Sequence, residues 1–574
     1  MADVVSRIYS NFRGVDFRGD EINLIRSPDS LNMWKDYRYT DSIRTRPTLK
    51  QVTSGYSTFY GIFFYNDEMI YHTGDSLYKR KKDGTTDIIY YGVNQAPSNA
   101  FVYEGIFYFM DGVHYFQYDG TEVKDVVGYI PTTSIARKPG HGGGGKIHED
   151  VNFLSPYRKN TFLSDNVEID YYLDSMSIDE VTKVEVLDTD TLEFEEKVLG
   201  TDYTVDCAKG IVKFKKAPPK PLTDGQDNVR VTFKKTIDGY ANTILNCTMV
   251  QVFDNRVFVS GNPKYPNVVY HCSLNDPTYF SDLDFYREGM DDSPVRGMVA
   301  GNNALWVFRE PSDANTNVFY HNPTIDDDYG KIYPSSHSSI TTGCIGRAIN
   351  FNDDIVFFSE RGMEGISGDI TTEQVVAHRS TLVDRKMIAE ADYKNMILAE
   401  WEGYLLVFIG NKVYLADSRT AFTNEDHIEY EWFYWELDFH GKEAFVTSVA
   451  VHDGVLYIGA STESNHSVFA FEYGYYDVES YWVTPKDKFN APHRLKTTNK
   501  RGCVAEATGD ISVYAKLEDT DYELIGTYEN VTDYFVSRIK RKKFKDIQLK
   551  FYSKTGFSLE TVTLESFIGG YIKR

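Results

Sequence analysis

The sequence predicts an all-β protein: a β-propeller of about seven blades, with an inserted β-sandwich domain and a C-terminal β domain. Three observations carry this. A short hairpin pattern recurs seven times, its copies stand at near-constant spacing, and 15% of the residues are aromatic, with 43 Tyr and 36 Phe among 574. Large rings suit the half-buried pleated surface of a sheet, and the chain is too long for a single core.

The repeat is an apolar strand, a two-residue turn of Asp, Asn, Glu or Gly, and a second strand rich in apolar and aromatic residues. Its copies are FFYNDEMIYH, FVYEGIFYFM, VQVFDNRVFV, MVAGNNALWVF, INFNDDIVFF, LAEWEGYLLVF and VAVHDGVLYIG. Such turn pairs tolerate the positive φ that a tight hairpin demands. The turns begin at Asn66, Glu104, Asp254, Asn302, Asn352, Glu402 and Asp453, with gaps of 38, 150, 48, 50, 50 and 51 residues. A period near 40–50 residues with a hairpin per unit is that of propeller blades. The gap of 150 marks an insertion of roughly 100 residues beyond one such period.

The chain then reads in order. Residues 1–56 form an extended N-terminal arm that completes or clasps the propeller and packs Trp34. Residues 57–138 are the first part of the propeller. The inserted β-sandwich, 139–245, opens on the glycine-rich stretch from Pro139 to Lys146, a linker composition. Its strands are VEIDYYL, VTKVEVLD, KVLGTDYTVD, GIVKFKKAPP and NVRVTFKKT, and the unit is expected to tolerate excision of 141–238. Residues 246–485 complete the propeller. The alternating segments ISVYAKLED, YELIGTYEN, DIQLKFYSK and SLETVTLESF place a second β domain at 486–574.

Charge is unevenly distributed. The total is −23, yet residues 1–50 and 472–574 are each net +2, which leaves −27 on residues 51–471. An acidic body does not grip phosphate backbones, which need clustered Lys and Arg. Self-repulsion that keeps the protein soluble explains the excess; an acidic lumen along which DNA moves without sticking is the sharper reading. The basic run is Arg538-Ile539-Lys540-Arg541-Lys542-Lys543-Phe544-Lys545. Contact with nucleic acid or with an acidic neighbouring subunit would suit it, and a charged strand edge also discourages aggregation.

Other motifs point to structure. Gly140 to Ile147 nearly matches a phosphate loop, but Ile147 stands where the Mg²⁺-binding hydroxyl belongs. It also echoes the HGGG oxyanion segment of esterases, in a chain without a GxSxG elbow. Ser27 to Trp34 resembles the Asp box of sialidase-type propellers, with Leu31 in place of the turn glycine. Asp291-Asp292 and Asp326-Asp327-Asp328 lack the spacing that wraps calcium. Thirteen His form no zinc signature. Cys207, Cys247, Cys272, Cys344 and Cys503 are odd in number and scattered, as reduced thiols are. The expectation is therefore no catalytic, cofactor-binding or metal residues and no enzyme activity, although glycoside hydrolysis needs merely two well-placed carboxylates. The opening residues lack the apolar stretch of a secretory leader, and no run approaches 18 apolar residues, so no membrane span is expected.

Two segments carry a resemblance. Phe12-Arg13-Gly14-Val15-Asp16, with Ser27 to Trp34 and Ile43-Arg44-Thr45-Arg46-Pro47, resembles the opening of phage virion structural proteins. So does Val257 to Pro263 running on to Tyr270–Phe280. The plan of arm, interrupted propeller and basic-aromatic C-terminal β domain resembles the DNA-stabilisation or tail-nozzle (tail hub) proteins of short-tailed bacteriophages. That resemblance implies a homo-hexameric ring in the virion tail, assembled in the bacterial host cytoplasm. Its implied partners are portal-adaptor proteins above, tail fibre or tail plug proteins, and double-stranded DNA that passes through without sequence-specific binding. The ring would continue the DNA channel, help retain the packaged genome and pass it during ejection. A glycan-binding or glycan-cleaving propeller is the alternative.

Overall fold

The fold is built on seven tight turns. In the computed structural model each repeat turn places two successive residues in the left-handed region: Asn66-Asp67, Glu104-Gly105, Asp254-Asn255, Asn302-Asn303, Asn352-Asp353, Glu402-Gly403 and Asp453-Gly454. Positive φ at both central residues defines the type I′ turn, whose twist matches that of the flanking strands. The register confirms two-residue loops, with Tyr65 opposite Glu68, Tyr103 opposite Ile106 and Trp401 opposite Tyr404.

The structure describes residues 3–19, 23–39, 42–140, 144–313, 316–327, 330–367, 375–424, 427–439, 444–462, 465–473, 477–540 and 542–572. Its contacts divide it into two compact units. One comprises Met1–Gly92, Gly301–Tyr320 and Ser336–Arg574; the other comprises Val93–Ala300 and His321–Ser335.

Six of the turns open a four-stranded antiparallel sheet, and the four strands opened by the sixth run on through Met33–Trp34 into a fifteen-stranded sheet. Seven such four-stranded units are the blades of a β-propeller. The first blade runs Phe59–Tyr65, Glu68–Thr73, Ser76–Arg80 and Thr86–Tyr91, and the second Asn99–Tyr103, Ile106–Met110, Tyr115–Tyr118 and Val123–Asp125. The third begins with Met249–Phe253 and Arg256–Ser260, the fourth with Val295–Gly301 and Ala304–Arg309, the fifth with Ala348–Phe351 and Asp354–Ser359. The sixth is Ile397–Trp401, Tyr404–Ile409, Lys412–Asn424 and His427–Glu436. The seventh takes Phe445–His452, Val455–Ser461 and His466–Glu472. Its fourth strand is Thr48–Gly55, from the N-terminal arm.

Blade packing explains why the second strand of each repeat is continuously apolar rather than alternating. Ala304–Arg309 and Tyr404–Ile409 are buried at every position, because a neighbour covers each face of the strand. Phe351, Val356, Phe358 and Met363 of the fifth blade share a core with Leu405, Val407 and Tyr414 of the sixth. Phe59, Ile62 and Met69 of the first meet Val468 of the seventh. In the other unit, Tyr108 and Met110 of the second blade pack with Val257 and Val259 of the third.

The arm is fastened by more than strand pairing. Trp34 is 2% exposed and stacks on Trp401 with ring centroids 5.5 Å apart, while Trp435 meets it edge-on at 5.6 Å. Arg26 donates two hydrogen bonds to the buried Glu431 carboxylate, at 2.7 and 2.6 Å. In the segment resembling an Asp box, the left-handed residue is Asn32 (φ 56°), and Ser30–Leu31 pairs with Trp482 and Tyr481.

The insert is a two-sheet sandwich. A six-stranded sheet includes Thr132–Arg137, Tyr157–Phe162, Glu180–Leu187 and Val229–Lys234, and a three-stranded sheet holds Asp170–Tyr172, Tyr203–Asp206 and Ile211–Phe214. Phe162, Val184, Val229 and Val231 of the first pack against Tyr171, Val212 and Phe214 of the second. Strand pairing crosses the limits drawn from sequence, since Thr132–Arg137 pairs in parallel with Tyr157–Phe162. Around residue 152 the chain returns to the third blade. Asn152, fully buried, donates to the carbonyls of Tyr129 and Thr278, and Phe153 lies 4.7 Å from the Tyr240 ring. Of the glycine-rich stretch, His141 to Gly143 lie outside the described residues; Lys146–Ile147 forms a short strand against Ser134 and Ile135.

The C-terminal domain has a 24-residue spine, Arg494–Leu517. Glu523–Val531 and Tyr534–Ser537 flank one edge; Ile547–Ser553 and Phe557–Tyr571 flank the other. Asp3–Tyr9 of the arm adds to Phe557–Tyr571, and Ser480–Val483 adds to Ile547–Ser553. Among the described residues no helix is long and apolar enough to cross a membrane.

Candidate functional site

The basic run lies where the spine's flanking strands separate. Tyr534–Ser537 ends at Ser537, and Lys543–Phe544 pairs back onto Thr497 and Lys496. Between them the chain turns Ile539 and Phe544 inward, at 7% and 1% exposure, and leaves Arg538, Lys540, Lys542, Lys543 and Lys545 exposed. Arg541 lies outside the described residues. The alternation that made the run read as a strand edge in sequence here anchors a cationic rim on two apolar residues.

Two further contacts hold the rim. Lys496 is fully buried and donates to the carbonyl of Lys545 at 2.7 Å; burial pushes its ammonium below the ordinary lysine range. The Thr498 hydroxyl donates to the carbonyl of Ile539 at 3.4 Å. Backbone carbonyls are thus satisfied from below, and the charged ends face outward.

The rim borders a cleft of about 310 Å³. Leu517, Leu524, Ile525, Ile539 and Phe544 supply its apolar surface, and Glu518 and Glu523 also line it. Lys542 pairs with Glu523 at 3.1 Å and Lys545 reaches Glu518 at 4.0 Å. Arg538, Lys540 and Lys543 have no ion-pair partner among the described residues. Surplus cations beside an apolar trough present a face complementary to acidic surfaces.

Asp292 lies 3.7 Å from Arg287, and Asp326 closes a short hairpin against Gly330; Asp328 is outside the described residues. All five thiols are free, four of them buried. Burial pushes Cys272 and Cys503 up to about 12, so neither is a ready nucleophile.

One titrating cluster was invisible in sequence. His378 stands between two carboxylates, with Nδ1 3.2 Å from Glu364 Oε2 and Nε2 2.5 Å from Asp384 Oδ2. Ser380 donates to the other Asp384 oxygen at 2.6 Å, and Ser359 to Glu364 at 3.1 Å. Burial alone would lower the imidazole, but its bonds to Asp384 and Glu364 outweigh that and push it up to about 10. The ring is therefore a cation at neutral pH. With both nitrogens engaged, it ties the outer strand Val375–His378 to the short helix Asp384–Met387.

No protein-family model matches the chain, and no curated protein matches it. Among solved structures, BamB from Moraxella catarrhalis aligns at 9% identity and a TM-score of 0.31, over 82% of this chain and 99% of that one. The C-terminal WD40 domain of Sif2 aligns at 9% identity and 0.31, over 74% and 99%. Hsv2 of Kluyveromyces lactis aligns at 9% and 0.25, over 66% and 98%.

Proposed function

We propose that this protein is a structural component of a short-tailed phage virion, a tail-nozzle or tail-hub ring that continues the DNA channel without catalysing a reaction. The observation that carries the reading is the separation of charge. Residues 51–471 hold an excess of −27, while the C-terminal domain keeps exposed cations on the rim of a cleft. Copies that stack or abut in a tube need unlike faces, and an acidic body beside a basic rim supplies them. The same acid excess suits a wall past which DNA slides, since every Lys or Arg touching phosphate adds a salt-sensitive grip.

Charge reversal tests the reading. Arg538→Glu with Lys540→Glu and Lys543→Glu should leave the fold intact, because all three side chains are exposed, yet shift the protein from rings to single subunits in sedimentation velocity. Unchanged assembly would remove the basic rim from the account. Turnover of a glycan by the purified protein would favour the alternative propeller enzyme.

A further inference from the structure

The turns of the first and seventh blades lie side by side and bring three metal-binding side chains together. Asp67 is the second residue of one turn and Asp453 the first of the other; His452 ends the strand Phe445–His452. The His452 Nε2 lies 3.7 Å from Asp67 Oδ1 and 3.6 Å from Asp453 Oδ2. The donor atoms of all three residues fall within 4.8 Å of one another.

The histidine is the informative member. In the other repeats the residue before the turn is Tyr65, Tyr103, Phe253, Gly301, Phe351 or Trp401, a ring in all but one. His452 keeps the ring's packing, stacked on Phe64 at 4.1 Å with planes 7° apart. It adds a nitrogen that is itself buried and makes no hydrogen bond, on a side chain 23% exposed, with a carboxylate oxygen at 3.7 Å and another at 3.6 Å. A buried polar atom of this kind costs stability unless a partner meets it.

We propose that Asp67, His452 and Asp453 bind one divalent transition ion, of the Zn²⁺, Co²⁺ or Ni²⁺ class, which staples the first blade to the seventh. One imidazole nitrogen with two carboxylate oxygens suits these ions better than Mg²⁺ or Ca²⁺, which take oxygen donors. Donors at about 2.0–2.2 Å from a tetrahedral ion stand roughly 3.3–3.6 Å apart, close to the His452 distances of 3.7 and 3.6 Å. The carboxylates sit on turn tips, 57% and 82% exposed, and their oxygens already face the nitrogen. Lys82 holds the other Asp67 oxygen at 2.8 Å, which leaves Oδ1 to face His452. The seventh blade is completed by Thr48–Gly55, so the ion would reinforce the blade that the arm closes.

The test is titration of the full chain, stripped with chelator, using ZnCl₂ in a calorimeter and CoCl₂ in a spectrophotometer. One ion per chain should bind, raise the melting temperature, and give Co²⁺ bands without thiolate charge transfer. His452→Phe, which retains the ring stack, should melt as the wild type without metal but lose affinity at least tenfold. Lys82→Met should bind more tightly. Equal affinity in His452→Phe, thiolate bands in the Co²⁺ spectrum, or no saturable binding below millimolar metal would each overturn the proposal.

Discussion

At the scale of residues, buried ionisable groups set what the protein tolerates. His378 is held as a cation by Glu364 and Asp384, with its imidazole raised to about 10. A group raised in the folded state stabilises fully below its unfolded value, about 6.5, and that contribution fades as pH climbs through about 10. The wild type should therefore melt above His378→Gln at pH 6–8, and the two should converge by about pH 11 in scanning calorimetry. A gap that stays constant across that range would refute the ionic assignment. Thiols give a second check. Cys207 is partly exposed, whereas Cys247, Cys272, Cys344 and Cys503 are buried. A thiol reagent should titrate about one cysteine in the native protein and all five after denaturation; rapid reaction of two or more would contradict the packing.

At the scale of elements, the seven hairpins rest on backbone conformation. Gly105 has φ 78° and open space where a side chain would stand, so it isolates the backbone term. Gly105→Val should cost about 1–2 kcal/mol, the penalty of the left-handed region, in equilibrium unfolding, whereas Asn66→Gly should be near neutral. These turns were legible in the sequence because their chemistry is local: a pair such as Asn-Asp or Glu-Gly announces positive φ wherever it falls. Non-local contacts were not. Nothing near Thr132 signals a parallel partner at Tyr157–Phe162, and nothing near Asn152 signals its return to the third blade. That return changes the deletion worth making. Lys235 donates its amide to the carbonyl of Pro156 at 2.8 Å, so the two ends of 157–234 already meet. Joining Pro156 to Lys235 should yield soluble, folded protein. Deleting 141–238 removes Asn152 and Phe153 and should aggregate; the opposite pair of outcomes would place 149–155 outside the core. The basic run was readable as a charge cluster, but its cleft depends on residues 515–525 folding beside it, and the cluster at His452 joins Asp67 to a pair that follows it hundreds of residues later.

At the scale of the whole molecule, the account rests on assembly. The acidic excess on residues 51–471 repels like surfaces over about a Debye length, near 8–10 Å. In the proposed ring, association would be directed to faces where unlike charge or apolar surface meets, and the rim of Arg538, Lys540 and Lys543 beside its apolar cleft offers one. Salt should loosen contacts made through exposed charges while leaving each blade folded, because blade cores are apolar. The most direct measurement is negative-stain imaging of the purified protein at low and high salt, with particles sorted into class averages. The account predicts closed rings with an open centre at low salt that dissociate into single propellers at high salt. A uniform population of single propellers at both salt concentrations would contradict it.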